Sequence, residues 1–486
     1  MRNIIIIPGR IIMYSRNTDT YGESKYYLIK KYRFRRLRAF FMGPLYPLWI
    51  AFSVLVGRTT GYEIAFAIFD LLLVAVAFAV CDSVRPIIPI MLTFLYRIPL
   101  IHAPGAPTNS TYYSGTKLVL VFAAFGIAFT SLLLFYVRKR RFRLSELIRL
   151  PLLLPLILLS AAFLLNGTFY EGKSMSDVGY SLLQVLVFAV VFWLLYLGLK
   201  DEDPEELSRY FTYVCATIAI VLIVEVAQIY LYTPILAGGY INEEYIYFGW
   251  GISNTGANCL SVLIPILFLG VIKSRWHILY FALATLTLFA TYLTLSRNGV
   301  LFGTLFYVIC LLIVCFRGKK QGFYRGIVAI GTALIAGVLV IYGKMLYAYF
   351  YNMIAAGFSD SGRFMLWRYA FEDYLKYPIF GKGFFSFTEY SVPMAGFIPY
   401  LAHNTVFELL MAMGTFGFVA YLIYRVCTLV PFVKNPRPEK TMLLLSVLVL
   451  ICESLIDNYI FWFAPTFVYN VAIVIAILFY KNEKTL

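Results

Sequence analysis

Four side chains in this sequence have the types and placement to act on a charged substrate. Arg297 sits in Ser296-Arg297-Asn298-Gly299 between two apolar runs with almost no loop around it; Arg363 and Arg368 lie in a later polar stretch, and His403 stands where the next apolar run begins. A guanidinium is planar and permanently charged and grips phosphate oxygens bidentately, so two of them can hold a pyrophosphate leaving group where a soluble glycosyltransferase often uses a metal. A neutral imidazole, with an ordinary pKa of about 6.5, can take the proton from a sugar hydroxyl as that oxygen attacks. The set reads as transfer of a group from a lipid diphosphate. Each member also has a plainer use. Arg297 can snorkel to lipid phosphates, and a lone histidine at a membrane boundary is commonly a satisfied interface residue. Arg368 lies about 140° round a helix from Arg363, so it is better placed to pair with Glu372 at i+4 than to share a ligand with Arg363.

The elements that must position these groups are membrane helices. Of 486 residues, 61% are hydrophobic and 14% charged, against about 45 to 50% and about 25% in a soluble domain. That balance excludes a disordered chain, a disulfide scaffold and a soluble enzyme on a single anchor. It predicts an all-α, polytopic membrane protein. A spanning helix needs about 20 mostly apolar residues, because no water is present to satisfy its backbone. About 14 such runs are legible, near 43–57, 62–80, 86–101, 115–137, 150–165, 180–199, 210–236, 257–272, 277–295, 299–316, 327–342, 404–424, 441–460 and 465–480. The first and third are short and punctuated by proline, which allows 12 or 13. Placing the N-terminus inside and alternating puts 31 of the 41 Lys and Arg residues in cytoplasmic segments, as the positive-inside rule requires. The organisation expected is a basic cytoplasmic segment at 1–42, eleven helices over 43–342, an extracytoplasmic loop at 343–403, three helices over 404–480 and a cytoplasmic tail at 481–486.

The net charge of +16 raises the question of nucleic acid, and the position of the charge answers it. Lys30, Lys31, Arg33, Arg35, Arg36 and Arg38, interleaved with Tyr32 and Phe34, precede the first span and suit a juxtamembrane anchor on anionic lipids, so no nucleic-acid partner is expected. Ile4 to Ile7 is too short for a signal sequence. The seven cysteines fall in or beside apolar runs without a Cys-x-x-Cys pair and read as packing residues. With three histidines in all, a site built on several histidine metal ligands is not expected, nor is a cofactor.

The long outer loop holds the other candidates. Residues 360–362 supply a helix start, and the stretch 363–376 is amphipathic, with Phe364, Trp367, Phe371, Tyr374 and Leu375 at helical spacing. It reads as a cap on the bilayer surface or as a lid over an outward-facing cavity. Gly381 and Gly383 can let backbone N–H groups approach an anion. Asn254 and Asn258 suit either sugar contacts or helix caps. Glu225 with Gln228, and Glu453 with Asp457 at i and i+4, suit either a transporter's ion relay or ties between helices and sugar contacts.

Taken together, Leu295 to Gly299 at the outer end of a span, Gly362, Arg363 and Trp367 opening a long loop, Pro378, Gly381 and Gly383, and His403, Asn404, Glu408, Leu409, Gly414 and Gly417 entering the next span resemble the bacterial O-antigen ligase and O-antigen polymerase superfamily over residues 250–425. The resemblance implies an inverting, metal-independent glycosyltransferase that uses an undecaprenyl-diphosphate-linked donor in the outer leaflet of the cytoplasmic membrane. It further implies Arg297 and Arg363 on the diphosphate and His403 as base. Asn404 and Glu408 in the matched stretch, and Asn254, Asn258 and Arg368 from their own chemistry and position, are possible substrate contacts. The partners expected are a lipid-linked oligosaccharide, a glycan or lipid acceptor and anionic membrane lipids. A polymerase joining repeat units is the reading chosen, with a ligase sharing its chemistry as the alternative. A lipid-linked oligosaccharide transporter is the rival from another class; it predicts internal repeats meeting at mid-membrane, and no repeat is visible.

Overall fold

The computed structural model describes residues 3–7, 10–14, 34–98, 115–139, 144–232, 246–248, 250–318, 320–355, 363–384, 402–461 and 463–485. The chain is an all-α bundle. Its helices are α1 (Leu45–Thr60), α2 (Glu63–Val80), α3 (Gly115–Arg138), α4 (Leu153–Leu165), α5 (Met175–Leu199, with a π turn at Leu186–Val190) and α6 (Pro204–Tyr232). They continue as α7 (Ser253–Lys273), α8 (His277–Leu293), α9 (Arg297–Arg317), α10 (Gln321–Ala355), α11 (Arg363–Lys376), α12 (Thr405–Val433), α13 (Pro438–Ser454) and α14 (Phe463–Thr485). Sheet among the described residues is limited to two small antiparallel hairpins. Local chemistry sets several helix starts. Ser174 and Asp177 form a reciprocal capping box for α5, Pro438 occupies the first turn of α13, and Asn404 caps α12.

Each of the 14 apolar runs overlaps helix, and among the described residues fewer than 14 of these helices are by themselves long and apolar enough to span. Among the described residues eight helices are long and apolar enough to cross a membrane, namely α2, α3, α5, α6, α7, α9, α12 and α14; a ninth results if Arg35–Met42 and α1, bent by 64°, form one span. The run at 86–101 departs most. Among its described residues it makes a helix over Ile87–Thr93 and a 3-10 turn over Leu95–Arg97, and the helix is about 10 Å long, short of a span. Pro89 and the preceding Pro86 restrict the backbone there.

The alternation of the chain is visible in its ion pairs. At one end of the bundle Arg38 and Lys139 converge on Asp82, Arg85 pairs with Glu202, Arg437 with Glu205 and Glu483, Lys440 with Glu483, and Lys273 with Glu439. These join the segments that alternation puts on one side. Burial works to raise the Asp82 carboxyl, but the hydrogen bond and charge of Lys139 and the charge of Arg38 outweigh it and hold it below the usual range. Deeper in the bundle, Arg97 meets Asp70 at 2.5 Å and Arg58 meets Glu225 at 2.9 Å, both pairs buried. Glu225 also accepts from Trp250, so it serves as a tie between helices.

At the centre stands α7, buried at every residue from Thr255 to Val271 and packed against α6, α8, α9 and α13. A second organising feature is a break in α12. Gly414 has φ 65° and ψ −167°, and a Cβ there would stand 2.3 Å from the Ile379 carbonyl oxygen. The hydrogen bonds lost at the break are replaced by the segment following α11. Lys382 and Gly383 N–H donate to the carbonyls of Met411 and Ala412 (2.7 and 3.0 Å), and Thr415 and Phe416 N–H donate to those of Pro378 and Ile379 (2.8 and 3.1 Å). An unsatisfied backbone group costs several kcal/mol in hydrocarbon, so the break persists because this segment fills it.

Three loop expectations change. The N–H groups of Lys382 and Gly383 are spent on α12, so the turn at Gly381 and Gly383 is a seam between elements and no anion nest. Helix α10 continues to Ala355, beyond the expected loop start at 343; the anticipated helix start at 360–362 lies outside the described residues. Helix α11 covers the expected residues but buries a different stripe. Leu366, Ala370 and Asp373 face the protein, whereas Phe364, Phe371 and Leu375 are exposed. The buried stripe follows i, i+4, i+7 because α11 lies along α12, with Trp367 stacked on Phe407 at 5.4 Å.

Candidate active site

The end of the bundle opposite the ion-pair belt gathers the chemistry. Helix α13 stops at Ser454, and the turn that follows carries Asp457 out of the helix. Asp457 Oδ1 accepts from His403 Nδ1, and Oδ2 accepts from the Tyr459 hydroxyl at 3.0 Å while meeting Arg363 Nη2 at 3.5 Å. The carboxylate side chain is 6% exposed, the imidazole 31% and the guanidinium 26%. A sheltered anion thus supports two accessible groups. With Nδ1 donating to a carboxylate, the imidazole presents Nε2 as its basic nitrogen.

Neighbouring contacts hold the two turns together. His403 has φ 50°, a left-handed value uncommon for a residue with a side chain. Asn404 accepts from the N–H groups of Val406 and Phe407 as the cap of α12 and donates to the Leu455 carbonyl at 2.6 Å. Glu408 Oε2 accepts from Ala402 N–H at 2.8 Å and Asn458 Nδ2 at 3.0 Å. Both side chains are buried and make these hydrogen bonds to protein groups.

Arg297 is exposed at the first position of α9, after Ser296, whose hydroxyl accepts from Gly299 N–H. The adjoining Asn298 donates to the Glu453 carbonyl at 3.4 Å, and Asp457 N–H donates to that same carbonyl at 2.9 Å. The start of α9 therefore abuts the Asp457 turn. Arg363 is the first described residue of α11. A cation at a helix N-terminus opposes the helix dipole, so Arg297 stands where an acidic residue would serve folding better and reinforces a position already suited to an anion.

Other expected members fall elsewhere. Arg368 is exposed and pairs with Glu372 at 2.9 Å, the i+4 alternative raised from the sequence. Asn258 is buried and donates to Glu453, so it ties α7 to α13. Neither Asn258 nor the half-buried Asn254 is a cap, because Ile252 occupies that position in α7. Asp457 is the residue whose part sequence reasoning missed. It reads as the i+4 partner of Glu453 when α13 is carried to 460; Asp457-Asn458, a turn-forming pair, was the signal that the helix ends sooner.

Residues 281–422 match the family model described as O-antigen ligase. The match bears out the resemblance seen in the sequence and contains Arg297, Arg363 and His403; Asp457 lies beyond it. No curated protein matches the chain.

Proposed function

We propose, from that match and the geometry around Asp457, that the protein is a membrane glycosyltransferase of the O-antigen ligase type. It moves an oligosaccharide from undecaprenyl diphosphate to an acceptor hydroxyl at the outer face of a bacterial cytoplasmic membrane, with inversion, without a metal, and with both termini in the cytoplasm. The observation that carries this reading is the convergence of His403 and Arg363 on the sheltered carboxylate of Asp457.

In the reaction, His403 Nε2 takes the proton of the acceptor hydroxyl as its oxygen attacks the anomeric carbon. A new glycosidic C–O bond forms while the bond from that carbon to the phosphate oxygen breaks, and the lipid diphosphate leaves with the electron pair. Asp457 orients the imidazole and stabilises it once protonated. Arg297 and Arg363 hold the growing negative charge of the leaving group, more tightly as it develops, which lowers the barrier rather than the ground state. The ligase description favours transfer to a separate acceptor over the polymerase reading taken from sequence alone. Both share these steps.

Purified protein in liposomes, supplied with a lipid-linked repeat unit and a separate lipid or glycan acceptor, tests the reading. Glycan should move to the acceptor, at a rate unchanged by excess EDTA. His403→Ala should slow transfer about 10²- to 10⁴-fold, or about 3 to 5.5 kcal/mol of barrier, while donor binding persists. Retention of more than about a third of the wild-type rate in that variant removes His403 as the base. Chains of multiple repeats without added acceptor would restore the polymerase.

A further inference from the structure

We propose that Glu408 is a positioning residue that locks the turn of His403 to the turn of Asp457, an inference that rests on the glycosyl-transfer reading above. Glu408 lies one helical turn into α12 from its cap and is fully buried. A single oxygen, Oε2, accepts from Ala402 N–H and from Asn458 Nδ2. Ala402 precedes His403 and Asn458 follows Asp457, so one atom pins the neighbours of both partners.

The left-handed backbone at His403 gives this clamp its purpose. Such a conformation persists only where the surroundings over-determine it. Glu408 fixes the residue before His403, and Asn404, the residue after it, is held by its own bonds as the cap of α12 and to the Leu455 carbonyl. Both restraints end on the 455–458 turn that carries Asp457. A carboxylate suits the position because it accepts from two donors and donates nothing. Being sealed from solvent, Glu408 acts through the two turns and never touches the reacting atoms.

Loosening the clamp should therefore misplace the base while leaving the donor's grip intact, which separates kcat from KM. In the full-length protein, Glu408→Ala is expected to lower kcat about 10- to 100-fold with donor KM within about twofold. Glu408→Gln, whose amide oxygen can take the same two donors, should restore most of that loss. A second readout does not depend on turnover. The chain has three histidines, so [15N]histidine labelling gives three pairs of ring-nitrogen signals, and the pair absent from His403→Ala belongs to His403. Its Nδ1 resonance should move in Glu408→Ala and stay in place in Glu408→Gln. An unmoved resonance in Glu408→Ala overturns the proposal, whatever happens to the rate. A Gln variant as inactive as the Ala variant, with its resonance in place, also overturns it and makes the carboxylate a proton carrier. If the resonance moves as expected but even the wild type transfers no glycan, the clamp stands and the glycosyl-transfer reading falls. Should Glu408→Ala fail to assemble, Asn458→Ala severs the bridge from the other turn and is read in the same way.

Discussion

Asp457 gives His403 a carboxylate partner, and under the proposed mechanism its charge matters more than its hydrogen bond. Asparagine could still accept from His403 Nδ1, but it would not stabilise the imidazolium formed as the acceptor loses its proton. Asp457→Asn should therefore slow transfer by about 10²- to 10⁴-fold. The double variant with His403→Ala should be hardly slower than His403→Ala alone, because the two residues act as one unit; single-turnover rates of the three variants check this. Arg297 admits an equally sharp test against its use as a lipid anchor. Lysine keeps the charge and snorkels equally well, but it lacks the planar fork. Arg297→Lys should fold normally and lose at least about tenfold in rate, since a hydrogen bond to a charged group is worth about 1.5 to 3 kcal/mol. Combined with Arg363→Lys, the losses should fall short of additive if both hold one diphosphate. A fully active Arg297→Lys leaves that residue as an anchor.

Among the elements, the buried ion pairs of the N-terminal half hold helices in place rather than conduct ions. Asp70 is met by Arg97 and by the Trp49 indole at 2.9 Å, and Arg97 Nη2 also donates to Ser53, all within the α1–α2 region and the short segment after Thr93. Removing one partner of a buried pair strands the other and typically costs about 3 to 5 kcal/mol, whereas removing both charges is often close to neutral. Arg97→Met should accordingly lower the thermal unfolding midpoint in detergent strongly. Adding Asp70→Asn, which keeps an acceptor for Trp49, should recover most of the loss. If the single variant is as stable as wild type, the pair contributes nothing to packing and the relay reading regains force. The exposed Phe364, Phe371 and Leu375 of α11 leave that helix with an apolar face turned away from the bundle, in keeping with a cap on the bilayer surface.

For the whole molecule, the proposed sidedness follows from the ion-pair belt at one end and the Asp457 site at the other. Five of the seven native cysteines are buried and two are half-buried, so single introduced cysteines can report orientation against a low background. Met175 and Lys434 are exposed at opposite ends. In intact cells a membrane-impermeant maleimide should label Met175→Cys, and label Lys434→Cys only after permeabilisation; the reverse pattern would put the site on the cytoplasmic face. The sequence by itself determined the membrane setting and the helical class, because apolar runs are local properties that need no knowledge of packing. It also singled out Arg297, Arg363 and His403 as candidates, because residue type and placement beside apolar runs are legible one residue at a time. What only the tertiary structure decided were relations between distant segments. Helix α13 ends early enough to swing Asp457 against His403, Glu408 turns inward to join two turns some fifty residues apart, and the Gly381 turn is consumed in mending the break at Gly414. A hydrogen-bonding group in a membrane protein takes whichever partner the fold brings within about 3 Å, and one-dimensional spacing does not contain that distance.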